Sequence, residues 1–261
     1  MVGVSKTTQF AFVLLLSAFA GSASAAQPAH AAQPPLTLDG VGTSWSCGVF
    51  MNNTRVCDAQ SLTTAHGRDV IILVVEDSVS VRDDPTTVSS IIDSSGLTFT
   101  PRISYTPNAK LWEYFARATS PLISDNITVV FSHDVEGVAV TQVLAIHGAN
   151  AQAIFDPNPS IPATIPCSYA GCSASMQTSA FDFIIASVAI NDGKGCGSPL
   201  PEGFQPPRGF TNIAYTGWIQ VDYATTTTLQ SSVTYDCHSS ETTDAMAIVV
   251  DGISFNGAFG R

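Results

Sequence analysis

The stretch Val70-Ile-Ile-Leu-Val-Val75 decides the fold, because it is an unbroken run of large apolar residues, most of them β-branched. A run of this length and composition is typical of a β-strand that is buried on both faces. A second stretch, Phe181-Asp-Phe-Ile-Ile-Ala186, has a similar character. The two stretches predict the central strands of a β-sheet core.

Around these two stretches, apolar segments alternate with turn-forming residues such as Asp93-Ser-Ser-Gly96. The segments predict strands at 86–92, 97–105, 110–118, 125–132, 138–147, 172–178, 181–190, 209–216, 218–225, 230–236 and 244–255. No segment after residue 25 has a convincing helical period. The chain is therefore predicted to be all-β, a two-sheet antiparallel sandwich that is jelly-roll-like.

The two halves of the chain, about 69–149 and 180–255, show a similar order of elements. Each begins with a buried strand, continues through a Gly-aromatic-Thr strand and a Tyr/Ala strand, and closes with an apolar strand. The spacings differ, so both a duplication and generic strand alternation remain open. Residues 150–171, which are rich in Pro, Asn and Ser, are predicted to be a linker or a long surface loop.

The first 25 residues have the three-part layout of a secretory signal peptide: Lys6, an apolar stretch and the small residues Ala23-Ser-Ala25. Residues 26–40 contain Pro and Ala and predict an extended leader. Residues 41–261 are then one disulfide-bonded β-sandwich domain. The signal's apolar stretch is too short for a membrane span, and no later run approaches the required ~20 residues. The mature protein is predicted to be secreted or associated with the cell surface.

Six cysteines predict disulfides, because an exported chain folds where thiols oxidise. Cys47 with Cys57 and Cys167 with Cys172 are each close enough in sequence to close a small loop. Cys196 and Cys237 remain, and the alternating direction of the intervening strands places both at the same end of the sandwich. Closing this long loop is expected to contribute ~4 kcal/mol. A metal or redox cluster is the alternative, but the cysteines have no CxxC spacing.

The chain is acidic, with a formal net charge of −11, and the predicted signal carries one basic and no acidic residue. A surface of this sign repels phosphate backbones and anionic lipid headgroups, which argues against nucleic-acid and membrane-surface partners. It also supplies carboxylates for calcium. The candidate ligands are the strand-end residues Asp83, Asp84, His133 and Asp134, with Asp192, Asp236 and His238 as counterparts in the second half. The alternative is that these are ordinary solvated turns.

Segment 110–118 places Trp112 and Tyr114 on one face and Glu113 and Arg117 on the other. An exposed Trp/Tyr surface could stack on sugar rings, whereas a buried one belongs to the core. Glu113 and Arg117 are predicted to form a surface ion pair. Asn52 and Asn126 match the acceptor pattern for N-linked glycans.

Five segments carry a resemblance to known sequences: Val88-Ser-Ser-Ile-Ile-Asp-Ser-Ser-Gly-Leu-Thr-Phe99, Trp112-Glu-Tyr-Phe-Ala116, Ser124-Asp-Asn-Ile-Thr-Val-Val130, Phe181-Asp-Phe-Ile-Ile185 and Tyr223-Ala224 with the Thr run after it. In these segments the chain resembles a family of exported β-sandwich modules in archaeal and bacterial surface proteins. The resemblance implies a jelly-roll-like extracellular module, and it brings no catalytic residues with it. The cysteines and the Pro-rich loop 197–208 depart from the family pattern.

The sequence contains no HExxH, G-x-S-x-G or P-loop motif. We therefore expect a structural or adhesion protein without catalytic activity, which interacts with other surface proteins or with itself. In one version of this function, the 26–40 leader adds to the open sheet edge of a neighbouring copy. The alternative function is a carbohydrate-binding or carbohydrate-active protein on the same fold.

Overall fold

The computed structural model describes residues 35–43, 45–48, 55–78, 85–107, 109–168, 170–191, 193–200, 203–228, 231–238 and 243–255. These residues belong to one compact unit. They contain β-strands and no helix, which confirms the all-β prediction. In this part of the chain, accordingly, no helix is long and apolar enough to cross a membrane.

The strands follow the two predicted halves of the chain. The first half contains β1 (Thr37–Val41), β2 (Trp45–Gly48), β3 (Gln60–Leu62), β4 (Val70–Ser78), β5 (Val88–Asp93), β6 (Thr100–Tyr105), β7 (Lys110–Arg117), β8 (Asp125–Phe131) and β9 (Val138–His147). The second half contains β10 (Ala163–Pro166), β11 (Ser173–Gln177), β12 (Asp182–Ile190), β13 (Ser198–Leu200), β14 (Gly203–Gln205), β15 (Thr211–Tyr215), β16 (Ile219–Thr225), β17 (Ser232–Asp236) and β18 (Ala245–Ser254).

Two large antiparallel sheets form the centre of the protein. Sheet 1 has the strand order β1-β9-β4-β7-β6, with β2 also paired to β9, and sheet 2 has the order β10-β18-β12-β16-β15. Two smaller sheets, β3-β8-β5 and β11-β17, are called outer sheet 1 and outer sheet 2 here. Strands β13 and β14 form a separate hairpin.

The central strands are buried on both faces because each large sheet packs against two partners. Val70, Ile72 and Val74 of β4 share one core with residues of β12 such as Phe183 and Ile185. The alternate residues of β4 share a second core with outer sheet 1, and the alternate residues of β12 share a third core with outer sheet 2. The β-sandwich prediction is confirmed for sheets 1 and 2, and the outer sheets add a layer on each side.

The strand order repeats between the two halves. In sheet 1, β9, β4, β7 and β6 are adjacent in that order, and in sheet 2 the corresponding order is β18, β12, β16 and β15. Strand β1 pairs with β9 as β10 pairs with β18, and β3 pairs with β8 as β11 pairs with β17. The similarity of the halves, which is weak in the sequence, is therefore clear in the topology.

Two segments that were predicted to be a leader and a linker contain strands. The end of the predicted leader forms β1, in which Thr37 pairs with His147 and Val41 pairs with Leu144. The predicted linker 150–171 contains β10. It also contains the buried Asp156, whose carboxylate accepts hydrogen bonds from the backbone N–H groups of residues 158, 179 and 180. These segments lack an apolar run, so only their pairing with strands distant in sequence defines them as strands.

A buried ion pair connects sheet 1 to sheet 2. Arg102 of β6 donates to both carboxylate oxygens of Asp251 in β18, over 2.6 and 2.8 Å. Its guanidinium also lies 3.8 Å from the centre of the Phe155 ring. Glu113 of β7 lies beside this pair, only 2% exposed. The predicted surface ion pair of Glu113 with Arg117 is therefore wrong, because this face of β7 points into the core between the sheets.

Candidate functional site

A groove of about 690 Å³ lies between segment 205–210 and the end of β17. Its lining includes Gln205, Arg208, Phe210, Thr234, Asp236 and His238. Most of these side chains are polar and exposed, while Phe210 is half-buried. The groove therefore offers hydrogen-bond donors and acceptors beside one apolar ring.

The Cys196–Cys237 disulfide holds the two walls of the groove together. Cys196 precedes the β13–β14 hairpin and Cys237 follows β17. The Cys167–Cys172 disulfide lies in the neighbouring loop, where Gly171 has φ = 101°. A Cβ atom at Gly171 would lie 2.7 Å from the Cys237 carbonyl oxygen, so glycine is required for this approach. With Cys47–Cys57, the structure contains all three disulfides predicted from the sequence.

A buried hydrogen-bond network supports the groove from below. Asp222 accepts hydrogen bonds from the Tyr235 hydroxyl and the Asn212 side-chain amide, each over 2.7 Å. Gln220 donates to the Cys196 carbonyl over 2.8 Å and accepts the Cys196 N–H over 2.7 Å. Burial raises the pKa of Asp222 to about 6, although the bonds from Tyr235 and its neighbours oppose this rise. The network fixes the position of the disulfide and of Tyr235.

Within the groove, aromatic and charged side chains are held in place by their neighbours. The Phe210 ring packs edge-on against Tyr235, with 4.8 Å between ring centres. The His238 ring nitrogen Nδ1 bonds to the Asp236 carboxylate, and both side chains are more than half exposed. Both residues line the groove, so their remaining polar atoms can contact a polar ligand there.

A second cluster, the His–Asp quartet, consists of Asp39, His66, Asp69 and His147. The Nδ1 atom of His66 lies 2.7 Å from Asp39, and that of His147 lies 2.8 Å from Asp69. The two imidazole rings stack with 4.3 Å between their centres. The quartet ties β1 to the rest of the protein, because Asp39 belongs to β1 and His66 precedes β4. Asp39 and His147 are far in sequence from His66 and Asp69, so no motif signals the quartet.

The predicted stacking pair, Trp112 and Tyr114, lies against the core between sheet 1 and outer sheet 1. Trp112 is 6% exposed, and its ring centre lies 6.3 Å from that of Phe131. Trp112 therefore matches the packing alternative, and its ring is not exposed for stacking on a sugar. Tyr114 is half-buried and lines a shallow groove beside β5.

The predicted calcium ligands are only partly within the described residues. Asp83, Asp84 and their counterpart Asp192 lie outside them. His133 and Asp134 are exposed, and Asp134 forms an ion pair with Arg55 at 3.1 Å. Among the described residues, no three His, Cys, Asp or Glu side chains are arranged to hold a metal ion. Calcium binding remains a prediction.

The two predicted glycan acceptors differ in what the structure says of them. Asn126 is exposed on β8, beside the fully buried Ile127. Its backbone N–H donates to the Ser94 hydroxyl over 2.8 Å. Asn52 lies outside the described residues. Glycan attachment at either position remains a prediction.

Comparisons with protein-family models, with curated proteins and with solved structures found no match. By its fold, this is an all-β, disulfide-bonded protein, and its described residues form two large antiparallel sheets, two outer sheets and a hairpin. Three disulfides fit an oxidising, extracellular environment.

Proposed function

We propose that this protein is a secreted or cell-surface β-sandwich that acts in surface structure, adhesion or assembly and has no catalytic activity. One observation carries the proposal: the two similar halves share a buried core between their large sheets, and three disulfides crosslink segments within the halves. Such a construction favours persistence outside the cell. The resemblance of the sequence to exported surface modules supports the same function.

The location of the perturbed acids also supports a structural role. Burial raises the pKa values of Glu76, Glu113, Asp182 and Asp222, and each of these side chains is at most 2% exposed. A catalytic acid must reach its substrate, so acids that are closed inside the core indicate packing rather than chemistry.

Strand β1 suggests how copies of the protein assemble. It is a short edge strand at the end of the predicted leader, and it covers only the Leu144–His147 part of β9. An edge strand that can leave its own sheet can pair with the same position in a neighbouring copy. The sequence predicts a leader that adds to the open sheet edge of a neighbouring copy. In the form proposed from the fold, β1 is instead exchanged between copies.

We expect a chain of residues 26–261 to form oligomers or fibres, and a chain lacking residues 26–41 to lose them. Size-exclusion chromatography and electron microscopy of both chains test this. A chain that lacks only residues 26–34 is the matched control, because it keeps β1. A synthetic peptide of residues 35–42 should also block assembly of the longer chain by occupying β9. Identical monomers for all three chains would rule out strand exchange.

The groove beside Cys196–Cys237 favours glycan binding as a second candidate function. Its Phe210 ring and Pro206 offer apolar surface, while Arg208, Asp236 and His238 offer charged and polar groups. Sugar recognition uses this combination, because hydroxyls need hydrogen-bond partners and the C–H face of the ring packs on apolar surface.

For this second function, we expect a glycan array to show binding that Phe210→Ala weakens at least tenfold. Asp236→Asn should weaken it as well, because the amide supplies one acceptor where the carboxylate supplies two. The matched control is Tyr215→Ala, an exposed aromatic outside the groove lining. Binding that survives both groove substitutions, or no binding to any glycan, would reject the groove as a sugar site.

A further inference from the structure

Carboxyl groups face one another in four places among the described residues. The pairs are Glu113 with Asp251, Asp182 with Asp156, Asp93 with Asp125, and Asp69 with Asp39. Most of these side chains are almost completely buried. Two ionised carboxylates in contact repel each other strongly where water is excluded, so a bare pair of this kind is not stable.

The hydrogen bonds are divided unequally within three of the pairs. Asp251 accepts two bonds from Arg102, Asp156 accepts three backbone N–H groups, and Asp39 accepts two bonds from His66. In the described structure, by contrast, both oxygens of Glu113 and one oxygen each of Asp182 and Asp69 have no donor. One member of each pair is thus held as an anion, and the other needs a proton.

In the Asp93–Asp125 pair, the hydrogen bonds are divided more evenly between the two carboxyl groups. Asp93 accepts the backbone N–H groups of Ser95 and Leu97 through one oxygen, and Asp125 accepts the Ser94 hydroxyl over 2.6 Å. The second oxygen of each carboxyl group is buried and has no donor in the part of the chain that the structure describes. A single proton between these two oxygens would satisfy both.

We propose that each of the four pairs holds one shared proton in the folded protein, and that the pairs adapt this protein to an acidic medium. A carboxylic acid O–H donates to the neighbouring carboxylate, which converts a repulsive contact into a charge-assisted hydrogen bond. At alkaline pH the proton is lost and the repulsion returns. This property is independent of the ligand or partner that the protein binds.

The pKa shifts of one acid in each pair are consistent with this division of protons. Burial, and then the adjacent carboxyl group, raise the pKa of Asp182 to about 8 and that of Glu113 well above its usual range. Burial also raises the pKa of Asp93 to about 6, and it raises that of Asp69. Each of these pKa rises is opposed by neighbouring groups that favour the ionised form. They are Arg102 beside Glu113, Ser254 beside Asp182, the backbone N–H groups at Asp93, and His147 beside Asp69.

The pKa values of Asp156, Asp125 and Asp39 shift in the other direction. Burial alone would raise the pKa values of Asp156, Asp125 and Asp39, but the hydrogen bonds they accept lower them. An acid whose pKa is raised in the folded state stabilises the fold fully below about pH 4. This contribution is lost as pH rises through the folded pKa, which is about 8 for Asp182. An acid whose pKa is lowered in the folded state stabilises the fold above about pH 4, and this contribution is lost on further acidification. The two contributions overlap best at mildly acidic pH.

Thermal unfolding of residues 26–261 between pH 4 and pH 8.5 tests the proposal. We expect Tm to be about 10 °C higher at pH 4.5 than at pH 8. The four-site variant Asp69→Asn, Asp93→Asn, Glu113→Gln and Asp182→Asn should lose at least half of this difference, because each amide N–H₂ replaces the acid O–H as a donor at every pH. Infrared spectra at pH 6 should show a carboxylic acid C=O band that is weaker in the variant.

Two controls separate shared protons from other causes, and one single-site variant replaces the four-site variant if needed. Asp58→Asn removes one exposed charge and should leave the pH dependence unchanged. Glu76→Gln measures the effect of a buried acid that has no hydrogen-bond partner in the described structure. Asp182→Asn alone carries both measurements if the four-site variant does not fold. The proposal is overturned if the four-site variant, or in its place Asp182→Asn, leaves both the Tm difference and the acid band as they are in the parent.

Discussion

Replacement of Arg102 by Met is expected to lower the free energy of unfolding by about 3–5 kcal/mol, the largest effect of any single substitution considered. Arg102 is the cation that neutralises Asp251, whose side chain is fully buried between sheets 1 and 2. Without it, Asp251 and Glu113 remain together in the core with no counter-ion that the structure shows. The cost comes mainly from this unpaired buried charge, since Met fills much of the volume of Arg.

Urea unfolding of the disulfide-bonded protein at pH 7 measures this effect. The matched control is Arg55→Met, because the Arg55–Asp134 ion pair has both side chains more than half exposed and should change stability by less than about 1 kcal/mol. The double variant Arg102→Met, Asp251→Asn should recover part of the loss, because it removes the charge that was left unpaired. Equal effects for Arg102→Met and Arg55→Met would contradict the assignment of Arg102 as the link between the sheets.

Removal of the Cys196–Cys237 disulfide by two Ala substitutions is expected to cost about 4 kcal/mol. The two cysteines are separated by 41 residues, and the loop they close includes strands β13 to β17. Without the crosslink, this long loop is free in the unfolded chain and its entropy favours unfolding. The groove walls also lose their connection, so any glycan binding at the groove should weaken together with stability.

The second disulfide supplies the comparison. Cys167 and Cys172 are separated by only five residues, so their replacement by Ala should cost about 2 kcal/mol on the same loop-entropy argument. Denaturant unfolding of the two double variants and the parent gives both values under oxidising conditions. A smaller loss for Cys196/Cys237 than for Cys167/Cys172 would show that loop closure does not explain the contribution of the long disulfide.

The sequence predicts most of the strands correctly, because each of these strands has its own apolar pattern. The runs at Val70–Val75 and Phe181–Ala186 are apolar along their whole length, and the alternation in 110–118 separates Trp112 from Glu113 correctly. The sequence does not predict six short strands, because they have no long apolar run and are defined by pairing: β1 and β2 with β9, β3 with β8, β10 with β18, and β13 with β14.

The candidate sites depended much more on tertiary structure. The sequence marks Asp236 and His238 as candidate metal ligands, but only the fold places them in one groove with Arg208 and Phe210. The His–Asp quartet and the carboxyl pairs join residues from distant strands, such as Asp39 with Asp69 and Glu113 with Asp251. An acidic residue in a sequence predicts a charged, solvated side chain, and only packing shows that its neighbour is another acid.

By itself, the sequence determined the strand-forming core and the pairing of the six cysteines, because local apolar patterns and strand direction are properties of the chain. The tertiary structure decided which face of each strand meets which layer. It therefore decided that Trp112 packs in a core, that Glu113 lies beside Asp251, and that the leader contributes strand β1. The physical reason is that burial and hydrogen bonding depend on contacts between distant segments, and these contacts exist only once the sheets have packed together.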